Sequence, residues 1–314
     1  MKVVFSGGGT LGSLAPLMAI HSELKRDHDY RGIWIGLGGE REQALIRNRG
    51  FKEYLIPSPR FRSTESDGFS LVTLTFPWRF LRAFGSAYAI LRAERPMAHC
   101  TAGSFVSVPV ALAAYILKIP TLVHQQDLIP GLANRLMAKF AFWRTVAFPE
   151  LAAQFSNARV VGNPVRPEIF GGQAELARSQ FQLDPKLPTV LIIGGSSGAE
   201  GLNALVESAL PFLTRHCQIL QMTGKGDAPI FERRHVRVPF FGPELKDVYA
   251  AADLLIARAG LSTMTEAGVL GIPTILVPIP NSHQEGNARY FEKRGVAMVL
   301  AQSLSPEVFA DKVL

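Results

Sequence analysis

The sequence predicts an α/β protein built from two Rossmann-like, doubly wound parallel-sheet domains, and three observations carry that prediction. Short β-branched runs alternate with longer helix-period segments almost from end to end, as in parallel sheets covered by helices. Each half opens with an apolar strand that runs into a glycine-rich turn and a helix. In the first half this is Val3-Val4-Phe5 into Gly7-Gly8-Gly9-Thr10; in the second it is Val190-Leu191-Ile192-Ile193 into Gly194-Gly195-Ser196-Ser197-Gly198. Between them, Val161-Gly162-Asn163-Pro164-Val165-Arg166-Pro167 stops helix and strand alike, which divides the chain into domains 1–162 and 163–314 at a hinge.

In the first half, strands are expected near 2–6, 31–36, 51–56, 97–101, 120–124 and 143–148, with helices near 14–26, 39–48, 76–94, 104–117 and 130–141. In the second, strands are expected near 189–194, 217–222, 235–239, 253–257, 273–277 and 297–300, with helices near 199–212, 243–251, 262–270 and 284–294.

Composition limits the partners. At 314 residues the chain suits two domains of the usual size, roughly 100–200 residues each. Lys and Arg outnumber Asp and Glu by 33 to 26, a net charge of +7 that favours anionic partners. The basic residues are scattered and no recognition module is present, which argues against nucleic acid. Two distant cysteines, Cys100 and Cys217, suggest neither a disulfide framework nor a metal knuckle and fit a reducing compartment. The longest apolar stretch, 105–117, is shorter than the roughly 18 residues of a membrane span and contains Pro109.

Five segments carry candidate chemistry. Ser6-Gly7-Gly8-Gly9-Thr10-Leu11-Gly12-Ser13 either points amides and a helix N-terminus at an anion or is only a tight strand-to-helix turn. Gly194-Gly195-Ser196-Ser197-Gly198-Ala199 adds two hydroxyl donors, which suits a diphosphate better than a packing turn. Arg258-Ala259-Gly260 leads to a helix that opens on a Ser/Thr cap, with Ser262 and Glu266 on one face. That carboxylate either complements its own helix dipole or accepts the hydroxyls of a ribose. His283-Gln284-Glu285-Gly286-Asn287, at the head of the next helix, either caps it or reads sugar hydroxyls. His124-Gln125-Gln126-Asp127 ends a strand; its imidazole is either structural or made more basic by Asp127.

Taken together, Gly7-Gly8-Gly9-Thr10, His124-Gln125-Gln126-Asp127 with Gly131 and Asn134, Val161 to Arg166, Gly194 to Ala199, Thr223-Gly224-Lys225-Gly226, Arg258-Ala259-Gly260 with Glu266, and His283-Gln284 with Asn287 resemble the MurG family in content and order. These are peripheral membrane enzymes that move N-acetylglucosamine from UDP-N-acetylglucosamine to lipid I, the undecaprenyl-diphosphate-linked muramoyl-pentapeptide. The resemblance implies a GT-B architecture with domains facing an interdomain cleft, and an inverting displacement that needs no metal or cofactor. It implies an acceptor site in the N-terminal domain from Gly8, Gly9, Thr10, Gly12, Ser13, Gln126 and Asn134. It implies a donor site in the C-terminal domain from Arg166, Ser196, Ser197, Gly198, Phe240, Phe241, Arg258, Gly260, Glu266, His283 and Gln284. In that site Arg166 and the serine loop meet the diphosphate, Glu266 the ribose, the backbone at Phe240 and Phe241 the uracil, and His283 with Gln284 the sugar.

Two departures bear on catalysis. Ser13 stands where the family usually has His, and His124-Gln125-Gln126-Asp127 stands for the family's His-Glu-Gln-Asn. His124 with Asp127 is therefore the expected acid–base pair. The chain ends at Leu314 in helix-like sequence, whereas the resemblance implies further closing helices. Segment 69–95 mixes Leu71, Leu74, Phe76, Trp78, Phe80, Leu81 and Phe84 with Arg79, Arg82, Arg92 and Arg95. It is either a helix packed on the first sheet or a patch that docks on the anionic inner leaflet, at the cytoplasmic face of the membrane.

Overall fold

The computed structural model describes residues 1–314 apart from 9–10, 58–70, 196–198, 225 and 227, and apart from the side chains of 11, 40, 41 and 71–75. The chain divides into two compact units, Met1–Pro164 and Val165–Leu314.

The first unit runs β1 (Lys2–Ser6), α1 (Ala15–Leu24), β2 (Arg31–Gly36), α2 (Glu40–Asn48), β3 (Lys52–Leu55), α3 (Leu71–Glu94), β4 (Ala98–Thr101), α4 (Ser107–Ile116), β5 (Thr121–Gln125), α5 (Leu132–Ala138), β6 (Trp143–Val146), α6 (Pro149–Ala152) and β7 (Arg159–Val160). Its sheet has the order β3-β2-β1-β4-β5-β6-β7, and every pairing is parallel. Buried Val3, Phe5, Leu17, Met18 and Trp34 fill one face; Val4, Ile33, Ile35, Ala83, Ala87 and Leu91 fill the other. The spacing of Ala83, Ala87 and Leu91 is one helical turn, so α3 lays a single stripe on the sheet.

The second unit runs α7 (Ala174–Phe181), β8 (Thr189–Ile193), α8 (Glu200–Leu213), β9 (Gln218–Met222), β10 (Ile230–Glu232), β11 (His235–Val238), α9 (Leu245–Ala251), β12 (Leu254–Ala257), α10 (Leu261–Leu270), β13 (Thr274–Leu276), α11 (His283–Lys293), β14 (Met298–Val299) and α12 (Pro306–Val313). Its sheet has the order β10-β11-β9-β8-β12-β13-β14, with only the edge hairpin β10–β11 antiparallel. All five residues of β8 are buried, because helices cover both faces of a parallel sheet. Buried Leu202, Leu205, Val206, Ala209 and Leu213 form the apolar stripe of α8. At the ends, Gly271 takes φ +69° to stop α10, and Ser305 caps α12 ahead of Pro306.

The two parallel-sheet α/β units are those the alternation predicts. Four short elements escape it: α6, β7, α7 and β10. Only α7 carries a periodic signal, with buried Ala177 and Phe181 one turn apart, and its brevity hides that signal in the linker. The third helix starts at Leu71 instead of 76, since it runs through Pro77, which sequence rules place at a first turn.

Phe181 and Phe309 are fully buried, Phe181 edge-on against Phe241 at 5.7 Å. Replacing either with Ala should cost about 3–5 kcal/mol in a denaturant titration, whereas Val308→Ala, on the exposed side of α12, should stay within about 0.5 kcal/mol.

Candidate active site

In a doubly wound sheet the loops at the carboxyl ends of the strands diverge where the crossovers reverse direction, and a ligand can enter there. In the first unit that point lies between β1 and β4; in the second it lies between β8 and β12. The described candidate residues lie near the carboxyl ends of strands at and beside those points.

At the first switch point, β1 runs into Gly7 and Gly8, and Gly8 has φ +143°. A side chain there would lie 2.9 Å from a carboxylate oxygen of Glu42, itself buried and bonded to Trp34 Nε1 at 3.1 Å. Sequence reasoning missed this carboxylate, since nothing in the pattern of α2 distinguishes Glu42 from the charged residues around it. Gly36 makes room for the pair: a Cβ there would come within 2.3 Å of Glu42 and 2.4 Å of Trp34.

His124 closes β5 and is buried. Its Nδ1 lies 3.0 Å from Thr145 Oγ1 on β6, and its Nε2 lies 3.2 Å from Asn163 Oδ1. With the amide oxygen of Asn163 facing Nε2, that nitrogen carries the proton and Nδ1 accepts from Thr145. Burial lowers the imidazole pKa to about 4, and the Asn163 hydrogen bond offsets only part of that. The expected raised basicity is therefore corrected: burial holds His124 neutral, with Thr145 and Asn163 as its hydrogen-bond partners, and its basicity is depressed. Gln125 Nε2 instead donates to the backbone carbonyl of Asp127 at 2.6 Å. Asn134 Nδ2 donates to the His124 carbonyl at 3.3 Å and to the Gln125 side chain, which ties the head of α5 to the end of β5. Gln126 reaches the carbonyl of Gly12 at 3.4 Å. Gln126 Oε1 and Asn134 Oδ1 are buried acceptors without a partner among the described residues. Ser13 ends a short 3-10 turn, Leu11–Ser13. Gly9 and Thr10 lie outside the described residues.

At the second switch point, Gly194 follows β8 so closely packed that a Cβ would lie 2.4 Å from that of Ala199. Ser196, Ser197, Gly198 and Lys225 lie outside the described residues. Behind the loop, His235 Nε2 meets Gln221 Oε1 at 2.8 Å, Gln221 Nε2 donates to Asn203 Oδ1 at 3.0 Å, and Asn203 Nδ2 donates to the Thr223 carbonyl at 3.1 Å. This chain ties β11, β9 and α8 to the Thr223–Gly224 turn.

Arg258 follows β12 as a buried brace: it donates to the carbonyls of Val277 and Pro278 at 2.8 and 3.2 Å and to Gln302 Oε1 at 2.6 Å. Gln302 in turn packs on Gly201, where a Cβ would lie 2.3 Å from its amide. Gly260, and not Ser262, is the N-cap of α10. Glu266, one turn further, pairs with Arg166: Nε and Nη2 reach Oε1 at 2.8 and 2.5 Å. Tyr249 Oη donates to Oε2 at 3.0 Å. The contact with Arg166 replaces the bland account in which Glu266 only serves its own helix dipole. Ser282 caps α11 through Gln284 N, while Gln284 Oε1 accepts from Ile279 N, so His283 is not the cap. Asn287 holds the carbonyl of Ala259 at 3.1 Å. Phe240 is exposed and Phe241 belongs to the core.

The chain superposes on crystalline MurG from Acinetobacter baumannii with a TM-score of 0.69 at 26% identity, over 99% of this chain and 89% of that one. A UDP-GlcNAc 2-epimerase from Neisseria meningitidis reaches 0.63 at 12% identity over 100% and 90%, a likeness of fold alone. Fold and switch-point sites thus define the GT-B class that the resemblance implies. Residues 3–143 match the glycosyltransferase family 28 N-terminal domain and residues 189–314 the C-terminal domain. A Treponema pallidum protein named UDP-N-acetylglucosamine--N-acetylmuramyl-(pentapeptide) pyrophosphoryl-undecaprenol N-acetylglucosamine transferase is 35% identical over 95% of this chain and 82% of its own length. The chain belongs to glycosyltransferase family 28, and within it to the MurG family.

His99 is also buried, with Ser6 Oγ 2.7 Å from its Nε2, and burial lowers its pKa to about 3. The unfolded chain protonates both His99 and His124 near pH 6.5, while the folded chain does not until about pH 3 and 4. Stability should therefore be lost as pH falls below 6.5, by up to about 1.4 kcal/mol per pH unit for each histidine. Urea midpoints between pH 7 and pH 4.5 measure the slope, and His124→Asn should make it shallower.

Proposed function

We propose that this chain transfers N-acetylglucosamine from UDP-N-acetylglucosamine to the 4-hydroxyl of undecaprenyl-diphosphate-linked muramoyl-pentapeptide. The observation that carries the proposal is the near full-length match to a relative named for that reaction. The acceptor falls to the unit Met1–Pro164 and the UDP-sugar to the unit Val165–Leu314. The acceptor oxygen attacks the anomeric carbon as the bond to the β-phosphate oxygen breaks, with inversion, and UDP leaves. Arg166 and the loop at Gly194–Gly198 stabilise the charge on the leaving diphosphate, so the step needs no metal. Glu266 accepts the ribose hydroxyls, the backbone at Phe240 takes the uracil, and Gln284 with His283 takes the sugar.

The proton goes to Asp127. His124, whose nitrogens are engaged by Thr145 and Asn163 and whose basicity burial depresses, serves to fix the strand end that presents Asp127. The buried oxygens of Gln126 and Asn134 suit hydrogen-bond donors on the acceptor.

Membrane docking is assigned to the first unit. On α3, Ala83, Ala87 and Leu91 pack inward while Trp78 and Leu81 stand exposed beside Arg79 and Arg82. Tyr115, Ile116, Phe142 and Trp143 add exposed apolar surface that the sequence did not single out. Among the described residues no helix is long and apolar enough to cross a membrane. An apolar surface flanked by Arg suits the anionic inner leaflet, where the polyprenyl chain lies.

Ser13 in place of the family His favours one second reading, a nucleotide-sugar-binding protein without turnover. Labelled UDP-N-acetylglucosamine with a short-chain lipid I analogue separates the two: acceptor-dependent UDP release is expected, and UDP binding without release would establish the second. Asp127→Asn should lower kcat about 10²-fold or more with the donor KM within about twofold. Trp78→Ser with Leu81→Ser should weaken sedimentation with phosphatidylglycerol vesicles about tenfold or more and leave UDP binding unchanged.

A further inference from the structure

The carboxylate of Glu266 is held from two sides. Both guanidinium bonds of Arg166 go to one oxygen, Oε1, and the hydroxyl of buried Tyr249 donates to the other, Oε2. A carboxylate has about four lone-pair sites, two on each oxygen. Oε1 is thus filled, and Oε2 keeps one place. A ribose offering two hydroxyls needs two places, so at least one Arg166 bond has to break before both can be accepted. The two groups also differ in mobility. Arg166 lies at the start of the Pro167–Ile169 turn with its side chain partly exposed, whereas Tyr249 is fixed inside α9 in the core of the sheet.

We propose that Tyr249 is a positioning residue of the nucleotide site: it holds Glu266 in place through Oε2 while Oε1 is handed from Arg166 to the ribose. The proposal rests on the UDP-sugar reading above. Arg166 and Glu266 neutralise each other, which removes the cost of leaving a nearly buried carboxylate unpaired. When nucleotide enters, the diphosphate draws Arg166 and the ribose replaces it on Glu266. A ligand with ribose but no phosphate has nothing to offer Arg166, and so binds against the ion pair. Phosphate and ribose recognition are thereby coupled through one side chain.

Calorimetric titration with UDP and with 2′,3′-dideoxyuridine 5′-diphosphate, which lacks both hydroxyls, tests the role of Tyr249. The chain should bind UDP about tenfold or more tightly than the dideoxy compound. Tyr249→Phe, which keeps the ring in the core, should weaken UDP about tenfold and leave the dideoxy compound within about twofold. A loss of the same size for both nucleotides, or no loss for either, overturns the positioning role. Arg166→Gln tests the exchange: it should weaken UDP yet bind uridine about threefold or more tightly, and unchanged or weaker uridine binding overturns it. If the unaltered chain binds no UDP, the donor reading itself fails, an outcome distinct from every one of these.

Discussion

Parallel strands can be joined only by crossovers, and that constraint sets where this protein can have a site. In each unit the first strand of the sheet, β1 or β8, lies in the interior of the strand order, with later strands added on both sides. The loops leaving β1 and β4, or β8 and β12, must therefore turn away from each other, and they expose backbone between them. Glycine is required there because the chain turns at a position closely approached by its own structure. Glu42 stands against Gly8, and Ala199 stands against Gly194.

The helices that bury both faces of each sheet also desolvate polar side chains on the central strands and at their ends, such as His99, His124, Gln221 and Arg258. Such groups must find partners inside the protein, and the partners available are the ends of neighbouring strands and the loops beyond them. His124 is satisfied by Thr145 and Asn163, Gln221 by His235 and Asn203, and the two terminal nitrogens of Arg258 by two carbonyls and Gln302. These contacts convert burial into loop geometry: Asn203 fixes the turn at Thr223, and Arg258 fixes the chain at Val277 and Pro278. Several polar residues at the switch points thus act through backbone they hold in place.

Periodicity made the two sheets and their main helices legible, because β8 and α8 obey simple burial patterns over five and fourteen residues. Two-residue β7 and four-residue α6 are too short to establish any period. The segments bearing the site were legible from glycine and from residue type. The partners of their side chains were not, since Tyr249, Thr145 and Gln302 are far in sequence from the residues they hold and carry no signature, and Asn163 stood out only as part of the hinge. The depressed basicity of His124 was not legible for the same reason, since it follows from the burial of the ring. Arg166 and Glu266, a hundred residues apart, are in contact.

The same physics orders the candidates for proton acceptor. An imidazole works as a base near neutral pH when its charged form is tolerated, and inside a dry sheet edge it is not. His124 has two neutral partners, Thr145 and Asn163, and neither compensates a positive charge as a carboxylate would. A carboxylate starts charged and becomes neutral on accepting a proton, so burial at the moment of transfer favours the step instead of opposing it. Asp127, three residues beyond His124 and partly exposed, has its backbone fixed by Gln125 while its side chain lies outside the sheet. With Ser13 unable to supply an imidazole at the glycine loop, a buried neutral histidine that braces the strand and a wetter carboxylate beyond it are complementary parts of the proton transfer proposed above.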